Sequence, residues 1–192
     1  MKKALILIVG LPGSGKSYAA DIIKEYFHAK ALKTGDVIRG EIKRRGLPYT
    51  PENDTKMRLW FHTGREHLIV ERLWENMKNH EGIVVIDGLR SPKELAMLKK
   101  LYKSRIFIIQ IKSSFKVRVK REMKRGRFGK QGSLKYLKER DKSELGKLVG
   151  LKQLLKKADY IIDNSKLSKR QMESKVVELI NQALMTKGLH RI

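Results

Sequence analysis

Two kinds of apolar pattern alternate along this chain, and the alternation predicts its architecture. Ala4 to Val9 is an unbroken apolar run, as a central parallel strand covered on both faces requires. Gly82-Ile83-Val84-Val85-Ile86-Asp87-Gly88 is a second such run, and it ends in an acid. Ile106 to Ile111 and Tyr160 to Asp163 read as further strands, and Ala29 to Thr34 as a weaker one. Between the runs, apolar residues recur at helical spacing: Ala19, Ile22, Ile23 and Phe27; Met57, Trp60, Phe61, Leu68, Ile69, Leu73 and Met77, with a break at Thr63-Gly64; and Val176, Val177, Leu179, Ile180 and Leu184. Thr50-Pro51-Glu52 and Ser91-Pro92-Lys93-Glu94 supply helix starts, each with a capping hydroxyl, a first-turn proline and an early acid.

Strands alternating with helices predict an α/β fold, a five-stranded parallel sheet with helices on both faces. Ligands in such sheets bind at the carboxyl ends of strands. That rule gathers Gly10 to Ser17, Thr34 to Arg39, Asp87 to Arg90 and Asp163 to Asn164 on one edge. No internal repeat or low-complexity linker interrupts the pattern, and 192 residues fit one domain. The helical stretch from about 36 to 80 reads as an insertion that binds an acceptor. Residues 113–142 read as a lid, and 1–35, 81–112 and 143–192 as the core. Trp60 and Trp74 read as packing residues, and His62 and His67 are too awkwardly spaced to ligate a metal from one helix face.

The first strand runs directly into V-G-L-P-G-S-G-K-S, Val9 to Ser17, and a helical pattern follows. Strand, glycine loop and helix are the context of a phosphate-binding loop. Backbone N–H groups of Gly10, Leu11, Pro12, Gly13, Ser14, Gly15, Lys16, Ser17 and Tyr18, proline excepted, can converge on an anion at a helix N-terminus. Lys16 can reach the terminal phosphates of ATP, and the Ser17 hydroxyl can join a Mg²⁺ shell. Asp87, at the end of its strand, is the second Mg²⁺ anchor.

Composition changes the picture in two ways. Cysteine is absent, which excludes disulfides and thiolate metal sites and agrees with a reducing cytoplasm. No apolar run approaches the roughly 20 residues of a membrane span, and Ala4 to Leu11 enters the glycine loop rather than a signal cleavage site. Formal charge is +24, from 44 Lys and Arg against 20 Asp and Glu. A phosphate site uses only a handful of these cations; the surplus reads either as the lysine-rich surface of a heat-adapted protein or as a nucleic-acid contact. From Lys112 to Lys142 there are 13 Lys or Arg against three acids, with glycines at 126, 129 and 132. This segment reads as a lid closing over phosphates, as a solvated basic loop, or as a nucleic-acid arm.

With these residues placed, the chain resembles P-loop kinases of the adenylate kinase, or nucleoside monophosphate kinase, group. Gly10 to Lys16 resembles that group's G-x-P-G-x-G-K, and Thr34-Gly35-Asp36 with Arg39 its T-G-D-x-x-R, whose arginine binds the acceptor's phosphate. Asp87-Gly88-Leu89-Arg90 resembles its D-G-x-x-R, shortened by one residue; Arg118, Arg121 or Arg125, with Arg140, resemble its lid arginines. Ala158 to Asn164, with Arg140-Asp141, is similar to dephospho-CoA kinases. Over its length the chain is most similar to an archaeal family of adenylate-kinase-related, dephospho-CoA-kinase-like P-loop proteins.

That resemblance implies a three-layer P-loop kinase fold that moves the γ-phosphate of ATP to a small-molecule acceptor, a nucleoside monophosphate or dephospho-CoA. Lys16, Asp36, Arg118, Arg121 and Arg140 are its implied catalytic residues. Thr34, Gly35, Asp36, Arg39, Asp87, Gly88 and Arg90 are its acceptor contacts, and Asn164 joins the nucleotide contacts. The glutamine that reads adenine in adenylate kinases has no counterpart after Arg90, where Ser91-Pro92-Lys93-Glu94 follows. A nucleic-acid-associated ATPase on the same fold is the alternative, supported by charge alone.

Overall fold

The computed structural model describes residues 3–126, 129–146 and 149–185. Its elements run β1 (Ala4–Val9), α1 (Lys16–Phe27), β2 (Lys30–Lys33), α2 (Thr34–Arg44), α3 (Pro51–His62), α4 (Glu66–Met77), β3 (Ile83–Asp87), α5 (Pro92–Leu101), β4 (Arg105–Lys112), α6 (Phe115–Lys124), α7 (Gly129–Leu145), α8 (Leu151–Leu155), β5 (Tyr160–Asp163) and α9 (Lys169–Met185). All five strands are parallel, in the order β2-β3-β1-β4-β5.

The unbroken run in β1 is explained by its central position. Leu5, Leu7 and Val9 face one layer, with Val84 and Ile86 of β3 and side chains of α2, α3, α4, α5 and α8. Ile6 and Ile8 face the other, with Val85 and residues of α1 and α9. Successive side chains on a strand point to opposite faces, so a strand with a helical layer on each side has no polar position to offer.

One strand end and one helix differ from those expected. Thr34 opens α2 rather than closing β2, because its hydroxyl turns to donate to the Gly88 carbonyl (2.8 Å) and the chain turns away from the sheet there. Helix α7 passes residue 142 and ends at Leu145, carrying Arg140 and Glu144 on one face. The short α8 is an additional element that packs Leu151 and Leu154 beneath α5.

The caps are local and legible. Asn53 N–H donates to Thr50 Oγ1 at the start of α3, and Ser91 with Glu94 forms a reciprocal capping box at the start of α5. Trp60 packs against the core and lies under the guanidinium groups of Arg45 and Arg65, at 4.2 and 4.7 Å from its ring centre. His62 is buried, its Nδ1 at 2.6 Å from the Arg58 carbonyl and its Nε2 at 3.4 Å from Glu94.

Candidate active site

The sheet order puts β1 between β3 and β4, so the loop after β1 emerges beside the ends of both neighbours. Gly10 has φ of 144°, and a Cβ on it would lie 2.2 Å from the Ile111 carbonyl oxygen. Gly15, the residue before α1, has φ of 106°, and a Cβ there would meet Asn164 Nδ2 at 2.4 Å. At both positions glycine is required by conformation and by space.

Lys16 is buried at the first position of α1, and its ammonium donates to the Leu11 carbonyl within the loop (2.9 Å). Burial pushes its pKa down to about 8, with Asp87 pulling the other way. Ser17 Oγ donates to Asp87 Oδ2 at 2.6 Å, whereas Asp87 Oδ1 is buried without a hydrogen-bond partner among the described residues. Asp87 ends β3 opposite Lys33 on one side and Ile8 on the other, so strand register alone brings this carboxylate to the loop.

Arg90 follows in the turn after β3. Its Nη1 donates to Gly88 O (2.5 Å) and Thr34 Oγ1 (3.1 Å), and its Nε to Glu144 Oε1 (2.8 Å). The Glu94 carboxylate accepts from the backbone N–H of Arg90 and of Ser91 at 2.8 and 2.9 Å, so the helix cap also fixes the arginine's backbone. Arg140 donates from Nε to the same Glu144 oxygen (2.8 Å) and from Nη1 to the Tyr136 hydroxyl. Burial opposes ionisation of Glu144, but Arg90 and Arg140 outweigh it and hold the carboxyl well below the usual range. Arg58 is bound in a two-point clamp by Asp54, which also accepts from Tyr136 OH at 2.9 Å. Burial works against the Asp54 carboxylate as well, yet Arg58 and Arg140 bring its pKa to about 2.

One cleft, of about 600 Å³ and partly open to solvent, is lined by Gly13, Gly15, Lys16, Ser17, Thr34, Gly35, Asp87 and Gly88, together with Lys33, Arg39, Arg58, Arg90, Arg125 and Arg140. A second, more apolar hollow adjoins it over Gly13 and Gly15, between Tyr18, Arg121 and Asn164 on one side and Leu167 and Met172 on the other. Its position at the outer end of the loop suits the base of a bound nucleotide.

The sequence-predicted residues divide in this setting. Gly13, Gly15, Lys16, Ser17, Thr34, Gly35, Arg39, Asp87, Gly88, Arg90 and Arg140 come together. Asp36 is more than half exposed, is ion-paired with Arg39 and lies outside the cleft lining. Arg118 and Arg125, placed on one face of α6 by spacing, part company. Arg118 is buried against Asp141 (2.9 and 2.5 Å) and the Pro12 carbonyl (3.2 Å), whereas Arg125 lines the cleft. Arg121 donates to the carbonyls of Ser14 (3.0 Å) and Asn164 (2.9 Å), and Asn164 Nδ2 donates to the Ser14 carbonyl (2.8 Å). Arg118, Arg121 and Asn164 thus brace the loop from behind.

Glu144, Asp54, Tyr136 and Lys33 had no motif to announce them. Asp54 with Arg58 and Arg140 with Glu144 are (i, i+4) pairs, the spacing of countless exposed helix salt bridges, and only tertiary packing buries them.

A family model described as an AAA domain matches residues 9–138. A UPF0200 protein of Pyrococcus horikoshii is 32% identical over 94% of this chain and 97% of its own length. Others from Methanocaldococcus jannaschii and Pyrobaculum aerophilum are 36% and 37% identical, each over 92% of this chain and over 91% and 96% of their own. The chain belongs to the UPF0200 family. Among solved structures, a shikimate kinase from Acinetobacter baumannii in complex with shikimate superposes with a TM-score of 0.59, covering 97% of this chain and 96% of that one at 15% identity. This UPF0200 chain therefore has a P-loop kinase fold, and among its described residues no helix is long and apolar enough to cross a membrane.

Proposed function

We propose that the protein is an ATP- and Mg²⁺-dependent phosphotransferase that moves the γ-phosphoryl group of ATP to a nucleotide-like acceptor, a nucleoside monophosphate or dephospho-CoA. The observation that carries this reading is the meeting, in one cleft, of a phosphate loop with arginines from α2, the β3–α5 turn and α7. A phosphate loop alone supports nucleotide binding; the further guanidiniums facing it support a second anionic ligand.

The residues present fit a divalent cation. Ser17 Oγ and Asp87 are hard oxygen donors in contact, and Asp87 Oδ1 is buried with no donor to accept from among the described residues. Among the described residues no group of three His, Cys, Asp or Glu side chains could hold a metal, so Mg²⁺ would take its remaining ligands from phosphate and water. When bound, Mg²⁺ neutralises charge on the terminal phosphates.

The chain's own work is positioning and charge. The loop N–H groups and Lys16 hold the triphosphate, with Arg118, Arg121 and Asn164 keeping the loop in shape. Arg39 and Arg90 hold the acceptor, and Arg140 offsets charge on the transferring group. The acceptor oxygen bonds to the γ-phosphorus as the bond from that phosphorus to the β–γ bridging oxygen breaks, and ADP leaves. Helices α6 and α7 and the helical region α2–α4 close the cleft from two sides and act as lid and acceptor lobe. The protein's place is the cytoplasm.

Phosphate transfer from labelled ATP with Mg²⁺ to AMP, CMP, UMP, dephospho-CoA and a short RNA tests the proposal, with Lys16→Ala as control. One labelled acceptor, absent in the control, is the expected result. No transfer, but ATP hydrolysis stimulated by RNA, would overturn it in favour of a nucleic-acid-associated ATPase. The exposed position of Asp36 supports an acceptor that needs no general base: Asp36→Asn is expected to lower kcat less than about threefold, whereas a loss of about 10²-fold would restore a hydroxyl acceptor.

A further inference from the structure

Arg58 belongs to no phosphate-binding motif in this chain, yet it is built as an anion receptor. Its Nε donates to Asp54 Oδ2 (2.8 Å) and its Nη2 to Asp54 Oδ1 (2.9 Å), which fixes the plane of the guanidinium. The remaining nitrogen, Nη1, is buried and has no hydrogen-bond partner among the described residues. The residue is 7% exposed and lines the cleft together with Arg90 and Arg140. A purely structural ion pair with Asp54 has no use for a buried, unpaired N–H, which is costly to leave without an acceptor. A phosphate oxygen relieves that cost and accepts from a rigid fork in the geometry guanidinium favours.

Its neighbours are held in the same manner. Glu144 Oε1 takes the Nε of both Arg90 and Arg140, while Arg90 Nη1 donates to Gly88 O and Thr34 Oγ1 and Arg140 Nη1 to the Tyr136 hydroxyl, which fixes the planes of both guanidiniums. The three arginines arrive on three elements, α3, the β3–α5 turn and α7, and among the described residues share two carboxylates, Asp54 and Glu144. Of the seven Lys and Arg side chains that line the cleft, Lys33, Arg39 and Arg125 are paired with carboxylates of their own, Asp21, Asp36 and Glu122.

We infer that Arg58, clamped by Asp54, is a further acceptor-binding residue, and that the acceptor presents a phosphomonoester dianion to Arg58, Arg90 and Arg140 rather than a bare hydroxyl. The inference rests on the phosphotransferase reading and narrows it: a nucleoside monophosphate satisfies the site and dephospho-CoA, which carries no phosphomonoester, does not. Asp54 is then a positioning residue, acting through the arginine it holds.

The test uses the full chain with two separate readouts, binding of a fluorescent ATP analogue and acceptor kinetics. In the wild-type protein, AMP is expected to raise the melting temperature and adenosine to leave it unchanged. Arg58→Lys keeps the charge but loses the fork; it is expected to raise the acceptor KM by about tenfold or more while ATP affinity stays within about twofold. Asp54→Asn is expected to shift acceptor KM in the same direction with the smaller effect. Equal stabilisation of the wild type by AMP and adenosine, a measurement independent of any variant's folding, would overturn the inference. So would an unchanged acceptor KM in folded Arg58→Lys, or transfer to dephospho-CoA alone. Failure of the wild-type protein to bind the ATP analogue would instead remove the phosphotransferase reading itself.

Discussion

Lys16 is a charge placed in a hole before its partner arrives. Burial brings its pKa from 10.5 to about 8 in the nucleotide-free protein. Below that value the buried ammonium costs stability, and the cost is relieved as pH rises from about 8 towards 10.5, where the unfolded chain holds a proton the folded one has lost. An anion in the loop acts oppositely, favouring the ammonium and drawing its pKa back up. Nucleotide binding at about pH 8.5 is therefore expected to take up protons, and affinity to fall as pH rises through about 8. Calorimetric titrations in two buffers of different ionisation enthalpy measure the uptake directly; it should vanish in Lys16→Met. A proton count of zero in the wild-type protein would remove this account of the lysine.

At the scale of the element, the turn after β3 shows how one cap serves two ends. Ser91 and Glu94 complete the start of α5, and the same Glu94 oxygen accepts from the N–H of Arg90. The acid that organises a helix terminus thereby fixes the backbone of an arginine in the cleft. Ser91→Ala is expected to lower stability by about 1 kcal/mol, read as a melting temperature lower by about 2–4 °C in a chain of this size. Glu94 keeps its hold on Arg90 N–H in that variant, so the acceptor KM should change less than about twofold. A large rise in KM without loss of stability would mean that Ser91 itself contacts the acceptor.

Across the whole molecule, Tyr136 of α7 donates to Asp54 of α3, joining two regions that the sequence separates by 82 residues. Both residues are buried, and Arg140 lies 3.6 Å from the same carboxylate. The contact ties the basic helical pair to the helices on the other side of the cleft. Tyr136→Phe is expected to cost about 1 kcal/mol and to speed hydrogen exchange in α7 more than in the central strands. Acid provides a second handle on the same junction. Because the folded pKa of Asp54 is depressed to about 2 from 3.8, its contribution is fully present above the unfolded value and is lost as pH falls through about 2. Asp54→Asn should flatten that part of an acid-unfolding profile; an unaltered profile would show that the carboxylate is not a source of acid sensitivity.

What the sequence determined by itself is what lies within a few residues of chain. The phosphate loop, the caps at Thr50 and Ser91 and the double-sided strand Ala4–Val9 depend on local backbone geometry and on the period of the apolar pattern. From these the sheet and its ligand-binding edge followed, and Asp87 could be placed because an acid at the end of an apolar strand points to that edge. Tertiary structure decided the rest. Asp54 and Arg58, or Arg140 and Glu144, have the spacing of exposed helical pairs, and nothing in that spacing distinguishes them from Lys135 with Glu139 on the surface. Only the packing of α3 and α7 around the β3–α5 turn removes water from them, and burial turns weak surface pairing into a fixed array of guanidiniums. The division of α6 has the same origin. Arg118 and Arg125 share a helix face in sequence, but the approach of Asp141 from α7 claims the first and leaves the second to the cleft.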